Sequence, residues 1–308
     1  MNTSQRKLGR VLVTGANGFL GAALVATLRR QQADVVATDI AGDAALPQGM
    51  AALDVRDGVA VHALMQQTPF DTVFHCGAVS GPMVMADRPL EIWNINATGT
   101  ANVLEAARLT KAGRVVVCST VEIYGEAITG IADETTRPQP DTVYGASKIA
   151  AEHAAQTYHR EHGLDTVALR FSWIYGPGRK TPTTLADLLA NSLTGAPTRV
   201  EGDPTDMTHY LHIEDAVQGL LRAAAVETLD DDRVFNITAG SGTPLAEMLD
   251  QVRAVAPGSK IDFHPRPPTR GPQGFSQDRA MQVLGFRAET TFKAGLAQYL
   301  ASLIRTGR

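Results

Sequence analysis

Short, unbroken apolar runs alternate with longer segments of helical period through the first half of the chain. Residues 10–14, 34–39, 72–76, 114–119 and 165–170 carry such runs, and each reads as a buried strand. Between them, residues 18–32 set Leu20, Leu24, Val25 and Leu28 on one side of a helix. A long helix is expected through residues 96–110, and another carries Tyr144 and Lys148. Strands apolar along their whole length and separated by helices predict a parallel sheet covered on both faces. The fold class is therefore α/β, with a doubly wound sheet. After Gly176-Pro177-Gly178 the alternation fades, segments shorten and prolines become frequent. Residues 1–178 are read as the main domain and residues 179–308 as a smaller C-terminal region. That division leaves room for C-terminal elements returning to the sheet. Residues 265–274, rich in proline and glycine, are expected to form a loop.

Length and charge narrow the class. A chain of 308 residues can bury one large core, or a large and a small one. Its net charge is −4 and its basic residues are scattered, which argues against nucleic acid as the main partner. The N-terminus has no apolar stretch of signal-peptide length, and no run approaches a membrane span. A cytoplasmic enzyme acting on a small molecule is the expected class. Cys76 and Cys118 each end an apolar run, which suits small buried hydrophobes better than a disulfide or a metal site.

Gly15, Gly18 and Gly21 form Gly-x-x-Gly-x-x-Gly directly between a predicted strand and a predicted helix. A turn without Cβ atoms lets the backbone approach a pyrophosphate at the positive end of the helix. Asp39 ends the second predicted strand. A carboxylate there accepts from both ribose hydroxyls and repels a 2′-phosphate. No arginine or lysine follows at Ile40, Ala41 or Gly42, so NAD is preferred over NADP. Tyr144 and Lys148 stand four residues apart, which places both on one helix face. A free phenol titrates near ~10 and is a poor base at neutral pH, but a fixed cation beside it favours phenolate. Most such pairs only decorate a surface. Here they follow a dinucleotide turn.

Together these residues resemble the extended short-chain dehydrogenase/reductase superfamily, in its NAD-dependent epimerase/dehydratase branch. Further segments look like that family's in the same order: Asp54-Val-Arg-Asp57, His75-Cys76-Gly77-Ala78, Asn96-Ala-Thr-Gly-Thr, Ser119-Thr120-Val121-Glu122 and Leu169-Arg170. The resemblance implies a Rossmann-type fold and an oxidoreductase that transfers hydride at a hydroxyl. It implies cofactor contacts at Gly15, Asn17, Gly18, Phe19, Leu20 and Gly21, with Asp54 and Val55 near the adenine. Cys76, Gly77, Ala78, Asn96 and Ser119 would flank the cofactor further on. Tyr144 would move the substrate's proton, Lys148 would hold the nicotinamide ribose and the phenolate, and Thr120 would orient the reacting oxygen.

Departures from the family pattern narrow the reaction. Dehydratases carry an aspartate where this chain has Val121, which holds no proton, so dehydration is disfavoured. Trp173 replaces the asparagine usual in 4-epimerases, and Thr208 replaces an arginine that serves the nucleotide. A diphosphate calls for bidentate arginines. Weight therefore shifts towards a smaller polyhydroxylated substrate, such as a free sugar or sugar acid, with Arg170, Arg179, Arg266 and Arg270 as candidate cations. A UDP-sugar 4-epimerase stays as the alternative, and a non-catalytic NAD-binding sensor as a remote one. His75, His209 and His212 lack the spacing of a helical zinc motif, and no metal is expected. Ala146, Ala150, Ala151, Ala154 and Ala155 form a small-residue face that suits either a homodimer or the monomer's own core.

Overall fold

Seven strands pair in parallel in one sheet: β1 (Val11–Thr14), β2 (Val35–Asp39), β3 (Met50–Ala52), β4 (Thr72–His75), β5 (Arg114–Thr120), β6 (Thr166–Phe171) and β7 (Val234–Ile237). Across the sheet they run β7-β6-β5-β4-β1-β2-β3. The chain thus starts in the middle and reverses direction between β1 and β4. In such sheets the ligand crevice lies at the C-terminal ends of the strands at that reversal. This is the Rossmann-type architecture expected. The structure is a computed structural model and describes residues 6–307 apart from 43, 44, 68, 230 and 232. The first five residues, on which part of the N-terminal reading falls, lie outside the described residues.

Among the described residues, eight helices of ten residues or more surround this sheet and its C-terminal extension. They are α1 (Phe19–Arg30), α2 (Gly58–Gln67), α3 (Gly99–Leu109), α4 (Val143–His162), α5 (Thr184–Thr194), α6 (Ile213–Ala225), α7 (Leu245–Val255) and α8 (Phe292–Thr306). Alternation along each strand decides which layer a residue joins. Val11, Val13, Phe74 and Val116 pack with Leu24 and Leu28 of α1 and Leu220 of α6. Leu12, Val73 and Val115 point the other way, onto Met65 of α2, Leu104 of α3 and Ala155 of α4. The third core is separate. It gathers Leu188 of α5, Met248 of α7 and Leu296 of α8 beside a parallel pair formed by Pro197–Gly202 and Lys260–Pro265.

Three elements differ from the sequence expectation. β7 returns from the C-terminal part and pairs with β6, a return the division of the chain left room for, although no strand was read at its residues. Its Val-Phe-Asn-Ile hides Asn236 at the centre of the run, where the amide donates to the Ser276 carbonyl at 3.1 Å. A buried asparagine breaks the apolar signal that marks the other strands. β3 is short and largely exposed, so it carries no apolar run. The helix expected from residue 96 begins earlier, with a turn at Pro89–Trp93 and a π-helical turn at Asn94–Thr98 ahead of α3. The loop read at residues 265–274 holds for 266–273, while Pro265 ends one strand and Gly274 begins another. Among the described residues no helix is long and apolar enough to cross a membrane.

Candidate active site

β1 ends at Thr14 and the chain turns through Gly15, whose φ of +66° suits glycine. A Cβ there would stand 2.5 Å from the Gly77 nitrogen, where the chain leaves β4. A Cβ on Gly21 would stand 2.1 Å from the Gly15 carbonyl oxygen, so α1 packs directly on the turn. Gly18 caps α1 without a side-chain hydrogen bond, leaving the first amides to another acceptor. Gly15, Gly18, Phe19, Leu20 and Gly21 line one wall of a cleft of about 690 Å³. This cradle fits a pyrophosphate.

Asp39 lies beside the turn, its Oδ2 accepting from the Asn17 backbone N–H and its Oδ1 from that of Ile40, both at 2.7 Å. The carboxylate is thereby fixed at the end of β2, and lone pairs remain for a ribose. Asp54 is gripped by Arg56 through 2.6 and 3.0 Å hydrogen bonds, which hold its carboxyl below the usual range. Val55 is buried next to Gly77 and Gly99. Asn96 spends its amide inside the protein: Oδ1 accepts from Val79 N at 2.8 Å and Nδ2 donates to Ser147 Oγ at 3.0 Å. Asn17, Asp39, Asp54, Val55, Gly77 and Asn96 are not part of the cleft lining; Cys76, Ala78 and Ser119 are.

Thr120, Tyr144 and Lys148 line the same cleft. Thr142 caps α4 by accepting from Gly145 N at 3.0 Å, so Tyr144 and Lys148 occupy its first two turns on one face. Both are buried. Lys148 Nζ donates to the Cys118 carbonyl at 3.0 Å and lies 6.0 Å from the Tyr144 ring centroid. Burial pushes the Tyr144 phenol well above its ordinary pKa, and the hydrogen bond from Thr120 only partly offsets this. Burial likewise pulls Lys148 down. The expectation was of a phenolate held by Lys148 and the nicotinamide charge together; in the protein alone the ammonium donates to a carbonyl and burial dominates the phenol. Thr120 Oγ accepts from Glu122 N at 3.2 Å, so its own proton is free to donate to the phenol.

The rim explains the departures from pattern. Val121 is buried with Ile123, Tyr124 and Phe275, away from the cleft. Trp173 lines the cleft, exposed, and donates its indole N–H to Glu122 Oε1 at 2.6 Å. Thr208 donates to the Thr243 carbonyl at 2.8 Å. Arg170 is buried against Glu152 and Tyr124, and Arg266 pairs with Asp206 at 3.2 Å. Arg270 is exposed and outside the lining, whereas Arg179 is within it. His75 is a buried strut between Thr14 (2.8 Å) and Thr100 (3.0 Å), and burial pushes it down to about 3, hence neutral. His209 meets the Pro272 carbonyl at 3.1 Å, and His212 caps α6. Cys76 and Cys118 are free thiols in the cleft wall, Cys118 Sγ donating to Cys76 Sγ at 3.7 Å, and both are less hidden than expected.

The sequence reading missed Lys180, whose Nζ reaches the Asn17 carbonyl at 3.1 Å and Asn17 Oδ1 at 3.2 Å. It also missed Tyr210, Asp187 and residues 79–83 of the wall. Only the turn at Gly176-Pro177-Gly178, just ahead of Lys180, hinted at a chain segment folding back over the site.

The model of the NAD dependent epimerase/dehydratase family matches residues 11–238. A UDP-glucose 4-epimerase from Corynebacterium glutamicum is 27% identical, with 92% of each chain covered. A dTDP-glucose 4,6-dehydratase from Actinoplanes sp. is 28% identical over 95% of this chain and 97% of its own. Among solved structures, a Thermus thermophilus UDP-glucose 4-epimerase in complex with NAD superposes with a TM-score of 0.84. It is 28% identical and covers 96% of this chain and 99% of that one.

Proposed function

Because this chain belongs to the NAD-dependent epimerase/dehydratase family, we propose that it acts as a dehydrogenase on a hydroxyl of a sugar or sugar-derived substrate. NAD is its cofactor and supplies the hydride acceptor and a positive charge beside the phenol. The glycine turn, the free amides of α1 and Asp39 fit its pyrophosphate and ribose. Residues 1–178 would supply this chemistry and residues 179–308 the substrate side.

The observation that carries the reading is the buried Thr120–Tyr144 hydroxyl pair with Lys148 behind it. Tyr144 takes the proton of the substrate hydroxyl, Thr120 orients that oxygen, and Lys148 holds the nicotinamide ribose. Val121 places no acid in the cleft, which supports oxidation over dehydration. The tethered Trp173 and uncharged Thr208 support a substrate without a nucleotide. The similarity to UDP-glucose 4-epimerases keeps a UDP-sugar 4-epimerase as the second reading. We read the enzyme as cytoplasmic. Its half-exposed Ala146, Ala150 and Ala154 suit a homodimer contact, while Ala151 and Ala155 are buried in the monomer.

Incubating protein and NAD with neutral sugars, sugar acids and UDP-glucose separates the two. Net reduced cofactor, seen by its absorbance, is expected; a changed stereocentre without it would establish the epimerase instead. Asp39→Ala should weaken NAD by roughly 10- to 100-fold, the worth of hydrogen bonds to a charged group. It should also narrow the gap between NAD and NADP, as measured by KM for each.

A further inference from the structure

Arg179 stands out among the guanidiniums of this molecule. It follows Gly178, whose φ of +91° turns the chain back over the cleft. Its Nη1 donates to the Ile174 carbonyl at 2.6 Å, and its Cζ sits 5.6 Å from the centroid of the Phe19 ring. Its Nε is buried without a partner. Arg114, Arg170 and Arg233, also buried or nearly so, each have a carboxylate. Among the described residues no carboxylate lies at ion-pair distance from Arg179. A largely desolvated cation in a cleft wall is unfavourable until a counter-charge arrives. With Nη1 occupied and Nε closed off, Nη2 is the donor left to meet a carboxylate in the cleft.

Two anions compete for it. The cofactor's pyrophosphate lies on the glycine side, where Lys180 already reaches Asn17. Arg179 instead shares the wall with Tyr144, Trp173 and Tyr210, and its charge is felt at the Tyr144 phenol. Its guanidinium thus stands between the glycine wall, through Phe19, and the reacting end, through Tyr144. A nucleoside diphosphate would need a second cation, yet Arg170 and Arg266 are paired and Arg270 lies outside the lining. Glu122, held by Trp173, and Asp187 are the carboxylates of the wall, and they suit hydroxyl donors. We infer that Arg179 binds the carboxylate of the substrate, and that the oxidised hydroxyl belongs to a small polyhydroxy acid. This rests on the proposed oxidation at Tyr144 and names the substrate class for it.

The test titrates NAD-loaded protein by calorimetry with gluconate against glucose, galactonate against galactose, glucuronate against glucose, and with UDP-glucose. Wild type is expected to bind at least one acid more than about tenfold tighter than its neutral counterpart. Arg179→Gln removes that preference with NAD affinity intact, and Arg179→Lys, which keeps the charge but not the fork, retains part of it. The inference is overturned if wild type shows no preference for acids, or if the preference survives in Arg179→Gln. Parallel loss of NAD affinity would also overturn it, by assigning Arg179 to the cofactor. Failure of the functional reading looks different: net oxidation of a neutral sugar upholds that reading while sinking this one. Absence of net oxidation strikes the reading, whatever the binding arms show.

Discussion

Tyr144→Phe is expected to lower turnover by roughly 10²–10⁴-fold, the usual worth of a positioned acid–base group. NAD affinity should hardly change, because the ring keeps its packing against Val79 and Ile92 and only the hydroxyl is lost. The pH profile supplies a second readout. Burial raises the Tyr144 pKa in the protein alone, which favours the protonated phenol over the proton-accepting form at neutral pH. Oxidation of a hydroxyl should therefore accelerate as pH rises, while carbonyl reduction, which needs the protonated phenol, should not. In Tyr144→Phe the alkaline rise should vanish. Steady-state rates across pH in both directions measure this, and near-wild-type turnover of the variant would remove Tyr144 from the mechanism.

How much of this site was legible depended on whether a residue's role is local in sequence. The glycine turn and Asp39 act within one strand-helix-strand unit, Tyr144 and Lys148 within one helical turn, and the folded chain keeps those units intact. The Thr120–Tyr144 hydrogen bond joins β5 to α4, and only the family pattern brought those residues together in advance. Asn96 shows the limit of that route. The resemblance put it beside the cofactor, whereas its amide ties the loop after β4 to α4 and does not line the cleft. The sign of the Tyr144 shift could not be read at all, since it depends on burial against the direction in which Lys148 points. Arg170 and Arg179 looked alike as candidate cations. Only three-dimensional pairing separates them, one locked to Glu152 and the other left without a carboxylate.

That locked pair carries the largest expected effect on stability. Arg170 and Glu152 are both almost fully buried, joined by Arg170 Nε to Glu152 Oε2 at 3.0 Å and by a shorter Nη2 to Oε1 contact. Ser119 Oγ donates to the same Oε2 at 3.0 Å, and Arg170 Nη1 donates to the Tyr124 hydroxyl at 2.8 Å. Tyr124 in turn lies 2.8 Å from Asn236 Oδ1, so the network spans β5, α4, β6 and β7. Glu152→Leu would leave a guanidinium buried with no counter-charge, and arginine cannot shed its proton to escape. The expected loss is about 3–5 kcal/mol in denaturant unfolding. Adding Arg170→Met removes the stranded charge, so the double variant should recover most of that loss. Activity should not recover with it. Glu152 lies two helical turns beyond Tyr144, and its partner Ser119 directly precedes Thr120, so an apolar pair no longer fixes β5 against α4. Recovered stability with depressed turnover would show that the ion pair positions the reacting groups. Recovery of both would reduce it to a packing element.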